Sequence, residues 1–120
     1  MPGRLTTHIL DTAGGQPAGG VDIELVRLDA SSGQRQVINT ARTNADGRTD
    51  APLLEGDALT AGTYELLFAV GDYFVRQGHE SGPPPFLDVV PIRFGISDTT
   101  RHYHIPLLAS PWSYTTYRGS

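Results

Sequence analysis

Toward the end of the chain stands His102-Tyr103-His104-Ile105-Pro106-Leu107-Leu108-Ala109, and its alternation decides the fold. A β-strand turns successive side chains to opposite faces. Tyr103, Ile105 and Leu107 therefore share one apolar face directed into a core. His102, His104, Pro106 and Leu108 share the other, so both imidazoles point outward. The same period governs Leu5-Thr6-Thr7-His8-Ile9-Leu10-Asp11-Thr12 near the beginning. With Leu5 and Ile9 inward, His8 faces outward too.

Outward from these two segments the chain is punctuated by 14 Gly and 9 Pro. Spread in small clusters, they mark short strands joined by turns. Strands are expected over 5–12, 21–28, 34–43, 48–51, 64–70, 87–96, 101–109 and 112–117. Residues 13–20 read as a turn-rich link. Asn44-Ala45-Asp46-Gly47 is a strong turn signal, because Asp-Gly tolerates positive φ. Tyr73, Phe74 and Gln77 lie at helical spacing, which predicts one short helix over 71–78. Ser81-Gly82-Pro83-Pro84-Pro85 cannot be strand interior. In the last strand Tyr114 and Thr116 are expected inward, and Ser113, Thr115 and Tyr117 outward. Many short strands and at most one helix read as an all-β, antiparallel β-sandwich. The 120 residues suit one domain spanning 1–120 and not two.

Composition narrows the function. The formal charge is −4, from 9 basic and 13 acidic residues, which argues against nucleic-acid binding through bulk charge. With no cysteine, disulfides, thiolate nucleophiles and Cys-ligated zinc are excluded. No apolar run approaches a membrane span, and MPGRLTTHIL lacks the apolar stretch of a secretory signal. These features predict a cytoplasmic protein with no membrane or nucleic-acid partner.

There is no Gly-x-Ser-x-Gly elbow, phosphate loop or dinucleotide fingerprint. What remains for neutral-pH chemistry is imidazole acid–base work supported by a guanidinium. One outer face can gather His8, His104 and Tyr117 if their strands are neighbours, which period alone does not settle. Blander roles exist for each group. Strand imidazoles are often only solvated, His102 and His79 read as bystanders, Arg48 as a surface arginine and 117–120 as a frayed tail. His-x-His on one strand face also suits a metal, but zinc would then need His8 plus a carboxylate or water to complete its ligands.

Taken together, these stretches resemble the transthyretin-like family. Leu5–Thr12 followed by Gly15-Gln16-Pro17-Ala18 matches its beginning, Asn44-Ala45-Asp46-Gly47-Arg48 its second marker, and His102–Pro111 its third. The ending Tyr117-Arg118-Gly119-Ser120, after Ser113-Tyr114-Thr115-Thr116, resembles the 5-hydroxyisourate hydrolase branch and not the hormone-carrier branch. The resemblance covers Leu5 to Ser120. It implies two four-stranded sheets with one short helix, and a homotetramer built as a dimer of dimers with active sites where the dimers meet. It implies cofactor-free, metal-free hydrolysis of 5-hydroxyisourate.

Carried over by position, the resemblance makes His8, Arg48, His104 and Ser120 catalytic, with His8, Arg48 and Tyr117 binding substrate. In the mechanism expected from these residues, Arg48 orients the substrate and stabilises charge developing on oxygen. His8 is preferred as the base toward water. His104, oriented by Ser120, relays the proton or donates it to the leaving nitrogen. The two histidine roles are exchangeable. A hormone-type carrier and an adhesive sandwich module are the rival classes; the first wants an apolar channel, the second no His/Arg convergence.

Overall fold

The computed structural model describes residues 3–79 and 82–119. Among them are nine strands: β1 (Arg4–Asp11), β2 (Gln16–Pro17), β3 (Asp22–Leu28), β4 (Arg35–Arg42), β5 (Leu54–Glu55), β6 (Gly62–Phe68), β7 (Val90–Ile96), β8 (His102–Ser110) and β9 (Ser113–Thr116). One α-helix, α1 (Val70–Arg76), follows β6. No helix among the described residues is long and apolar enough to cross a membrane.

The strands form two layers, as the alternation predicts. One sheet runs β4-β3-β6-β7, antiparallel throughout. The other runs β2-β1-β8-β9, with β5 also paired to β1. It has five strands because two short pieces, β2 and β5, pair antiparallel with β1 toward its opposite ends. Within this mainly antiparallel fold, β1 and β8 pair in parallel, from Arg4 beside His102 to Asp11 beside Ala109. Two strands from opposite parts of the sequence thus become neighbours. Odd-numbered residues of both face the same way, and so do the even-numbered ones.

The odd set builds the core. Leu5, Ile9 and Leu107 of one sheet pack toward Ile23, Leu25, Tyr64, Leu66 and Phe68 of the other, all fully buried. Burying each such side chain contributes about 1.5–3 kcal/mol, the main support for a chain without disulfides. Tyr73 and Phe74 put one face of α1 into the same core. The buried Asp11 carboxylate accepts hydrogen bonds from the Gly14 amide (2.8 Å) and the Tyr73 hydroxyl (2.9 Å), pinning the end of β1 to the helix.

Three local expectations change. Residues 48–51 are not a strand: Arg48 makes one isolated bridge to His8, and hydrogen bonding to β1 resumes only at Leu53, whose amide donates to the Leu5 carbonyl (2.8 Å). The chain bows out between these points because Thr49 Oγ1 turns back onto the Ala51 carbonyl (2.6 Å) and Pro52 has no N–H to give. Gln16 and Pro17, expected within a turn, form an edge strand, a position where proline is tolerated. Tyr114, expected inward, is 43% exposed, because four-residue β9 lies at the sheet edge.

Candidate active site

The even-numbered, outward face of β1 and β8 carries the polar chemistry. The parallel register sets Thr6 beside His104 and His8 one step farther along. His8 Nδ1 lies 2.8 Å from His104 Nε2, with the rings stacked at 14° and 5.0 Å between centroids. Thr6 Oγ1 bridges His104 Nδ1 (2.8 Å) and His102 Nε2 (3.2 Å). Arg4 Nε donates to His102 Nδ1 at 3.4 Å. All three imidazoles are half-buried, whereas Arg4 is exposed.

Arg48 reaches this face through its turn. Asn44 Oδ1 accepts from the amides of Asp46 (2.9 Å) and Arg48 (3.3 Å), and the Asn44 amide donates to the Arg48 carbonyl (2.7 Å). Gly47 stands at φ +74°, and its carbonyl accepts from the Ile9 amide (2.8 Å). A Cβ at Gly47 would collide with the Ile9 carbonyl oxygen, so only glycine permits this approach. The turn is thereby docked on β1, and Arg48 bridges to His8.

A cavity of about 470 Å³ opens here, lined by Arg4, Thr6, Arg48, Asp50, His102 and His104 among others. His8 does not line this cavity; it is bonded to His104, which does. Burial first, and the Arg48 charge second, hold the His8 imidazole below its ordinary pKa of 6.5. His104 is lowered by burial, then by the charges of His8, Arg48 and His102. Both shifts favour the neutral ring, the state in which an imidazole can both give and receive hydrogen bonds. A planar, polar ligand with carbonyl oxygens fits such a set: the guanidinium fork grips oxygen and the imidazoles move protons.

The structure thus brings His8, Arg48 and His104 together. It does not bring Tyr117 to them within one chain. Past Thr116 the backbone leaves the β9 ladder, and Tyr117, 57% exposed, lines a separate groove of about 260 Å³ with Phe94, Tyr103 and Arg118. Arg118 lies over the Tyr103 ring, 4.4 Å from its centroid. The Gly119 amide then donates to the His104 carbonyl (2.7 Å), so the tail is bound and returns toward the histidines. Ser120, assigned above to orient His104, lies outside the described residues.

Two participants escaped the sequence. Thr6 and His102 join the histidine network, although His102 reads as a bystander. Strand parity was the available signal: Thr6 shares a face with His8, and His102 with His104. The metal alternative finds no support in geometry, since no group of three or more His, Asp or Glu side chains among the described residues is placed to hold an ion. His79 sits apart, edge-on to Phe74.

Known proteins resemble the chain over nearly its whole length. The chain is 59% identical over 118 residues to the 5-hydroxyisourate hydrolase of Ralstonia nicotianae, covering 98% of this chain and 99% of the relative. Among solved structures, the Klebsiella pneumoniae 5-hydroxyisourate hydrolase superposes with a TM-score of 0.80 at 36% identity, covering 98% of this chain and 99% of that one. An (S)-allantoin synthase superposes with a TM-score of 0.92 at 45% identity; the match covers 99% of this chain but only 44% of that longer one. A family model described as HIUase/Transthyretin family matches residues 5–119. With its two-layered sandwich and its full-length similarity to these proteins, the chain belongs to the HIUase/Transthyretin family.

Proposed function

We propose that this chain hydrolyses 5-hydroxyisourate, opening the six-membered ring at an acyl C–N bond to give 2-oxo-4-hydroxy-4-carboxy-5-ureidoimidazoline in urate breakdown. One observation carries the proposal: two imidazoles 2.8 Å apart, with Arg48 bridged to the same strand, in a chain whose full-length relatives bear that enzyme's name. Water adds to the acyl carbon. Arg48 holds the carbonyl oxygens and stabilises the charge that grows there. The histidine pair supplies the acid–base chemistry, and no metal or organic cofactor enters. His104 has both ring nitrogens engaged, so His8 is the ring that meets the substrate.

The polar cavity disfavours the hormone-carrier alternative, which wants an apolar channel. The working form we infer is a homotetramer, a dimer of dimers, with the site where dimers meet. Tyr117 then binds substrate across an interface with another copy, and Ser120 orients His104. In support, the bond from the Gly119 amide to the His104 carbonyl brings the chain end to that ring.

The test is direct. Urate oxidase generates 5-hydroxyisourate in situ, and its ultraviolet decay is followed with and without the protein. Accelerated decay is expected; decay at the spontaneous rate would remove the proposal.

A further inference from the structure

Four side chains and a guanidinium form a continuous hydrogen-bonded line: Arg4, His102, Thr6, His104 and His8. One direction lets every group in it use its donor and its lone pair. A guanidinium only donates. Arg4 Nε–H therefore meets a lone pair on His102 Nδ1, which leaves Nε2 as the nitrogen of that ring bearing a proton. His102 Nε2–H then donates to Thr6 Oγ1 at 3.2 Å. The hydroxyl passes its own proton to the lone pair of His104 Nδ1 at 2.8 Å. The proton of His104 is left on Nε2, from which it donates to His8 Nδ1 at 2.8 Å. His8 ends the line with its proton on Nε2, a nitrogen without a hydrogen bond among the described residues. The opposite polarity would set His102 Nδ1–H against Arg4 Nε–H, two donors facing each other at 3.4 Å.

We propose that Thr6 and His102 are positioning residues, held in polarity by Arg4, that fix the tautomers of His104 and His8 so that His8 meets the substrate as a hydrogen-bond donor. The proposal rests on the assignment of His8 and His104 to the acid–base pair. It gives His8 the donor's part in the resting protein, where the sequence reading prefers it as the base with the two roles exchangeable. In that polarity the Nδ1 lone pairs of both rings are occupied.

The test reads the tautomers before it reads the rate. Histidine-15N-labelled full-length protein, free of substrate at about pH 8, above the ordinary histidine pKa, is measured by long-range 1H–15N correlation. All three rings are expected as Nε2–H. In Thr6→Val, which keeps the shape and loses the hydroxyl, His104 is expected to become a mixture of tautomers; Thr6→Ser is expected to restore it. With 5-hydroxyisourate, Thr6→Val should lower kcat by roughly tenfold or more, as misplaced imidazole protons do, with KM moving less and Thr6→Ser recovering the rate. His8 found as Nδ1–H in the wild type, or an unchanged kcat in Thr6→Val, overturns the proposal. Should the wild type not hydrolyse 5-hydroxyisourate, the functional assignment falls, while the tautomer spectrum still decides the relay.

Discussion

His104 is gripped on both ring nitrogens and crowded on its carbon edge as well. A Cβ at Gly119 would lie 2.8 Å from His104 Cδ2, and the ring cannot swing aside without leaving Thr6 or His8. Gly119→Ala is therefore expected to leave thermal stability nearly intact while lowering turnover by up to about 10²-fold, the typical cost of misplacing a reacting group by an ångström. Full turnover in that variant would show that the tail does not constrain the ring. His8→Ala, Arg48→Ala and His104→Ala should each cost about 10²-fold or more in kcat. These side chains lie on the outer face of the sandwich, so circular dichroism should remain that of the wild type. The pH profile tests the electrostatics. Both histidines are lowered from 6.5, and the proposed mechanism uses the neutral rings. kcat/KM should stay level as pH falls through 6.5 and drop only below it. The stability contribution has the same sign: it is complete above the unfolded-state pKa and is lost as pH falls through the lower native values. A midpoint above 6.5 would contradict the burial and charge effects described for these rings.

At the scale of elements, the turn at 44–47 bears the most on the site. It combines a positive φ with a backbone approach closed to any side chain, so Gly47→Ala should cost at least about 1–3 kcal/mol. The loss is measured as a lower urea midpoint, with activity falling as Arg48 leaves His8; an unchanged midpoint would mean that the turn adjusts freely. This turn was legible in the sequence because Asp-Gly chemistry is local. The inward faces of β1 and β8 were equally legible, since a period of two needs no knowledge of neighbours. Strand adjacency was not, and the 2.8 Å histidine contact depends on it. Thr6 was missed for the same reason: a threonine becomes a bridge only once a second strand sets imidazoles beside it. The bow at 49–52 and the departure of Tyr117 from the histidine face arise where ladders stop, and there the alternation carries no information.

At the scale of the molecule, the tail separates stability from activity. Arg118 over Tyr103 is an exposed cation–π contact, worth about 0.5–1 kcal/mol. Deleting 118–120 should barely move the melting temperature yet abolish most hydrolysis of 5-hydroxyisourate. An active truncated protein would return the tail to a passive role. Light scattering of the intact protein should report a tetramer; a fully active monomer would place Tyr117 outside the reaction.

The parallel pairing of β1 with β8 also bears on synthesis. Thr6 and His104 are 98 positions apart in sequence. A ribosome must therefore extrude β8, some 98 positions later, before β1 finds its central partner, and such distant closures make for slow folding. Until then the first strand is an unfinished edge, open to any chaperone or stray strand that reaches it. No nascent fragment lacking β8 can bring the two imidazoles together, so the proposed histidine pair forms in one late step.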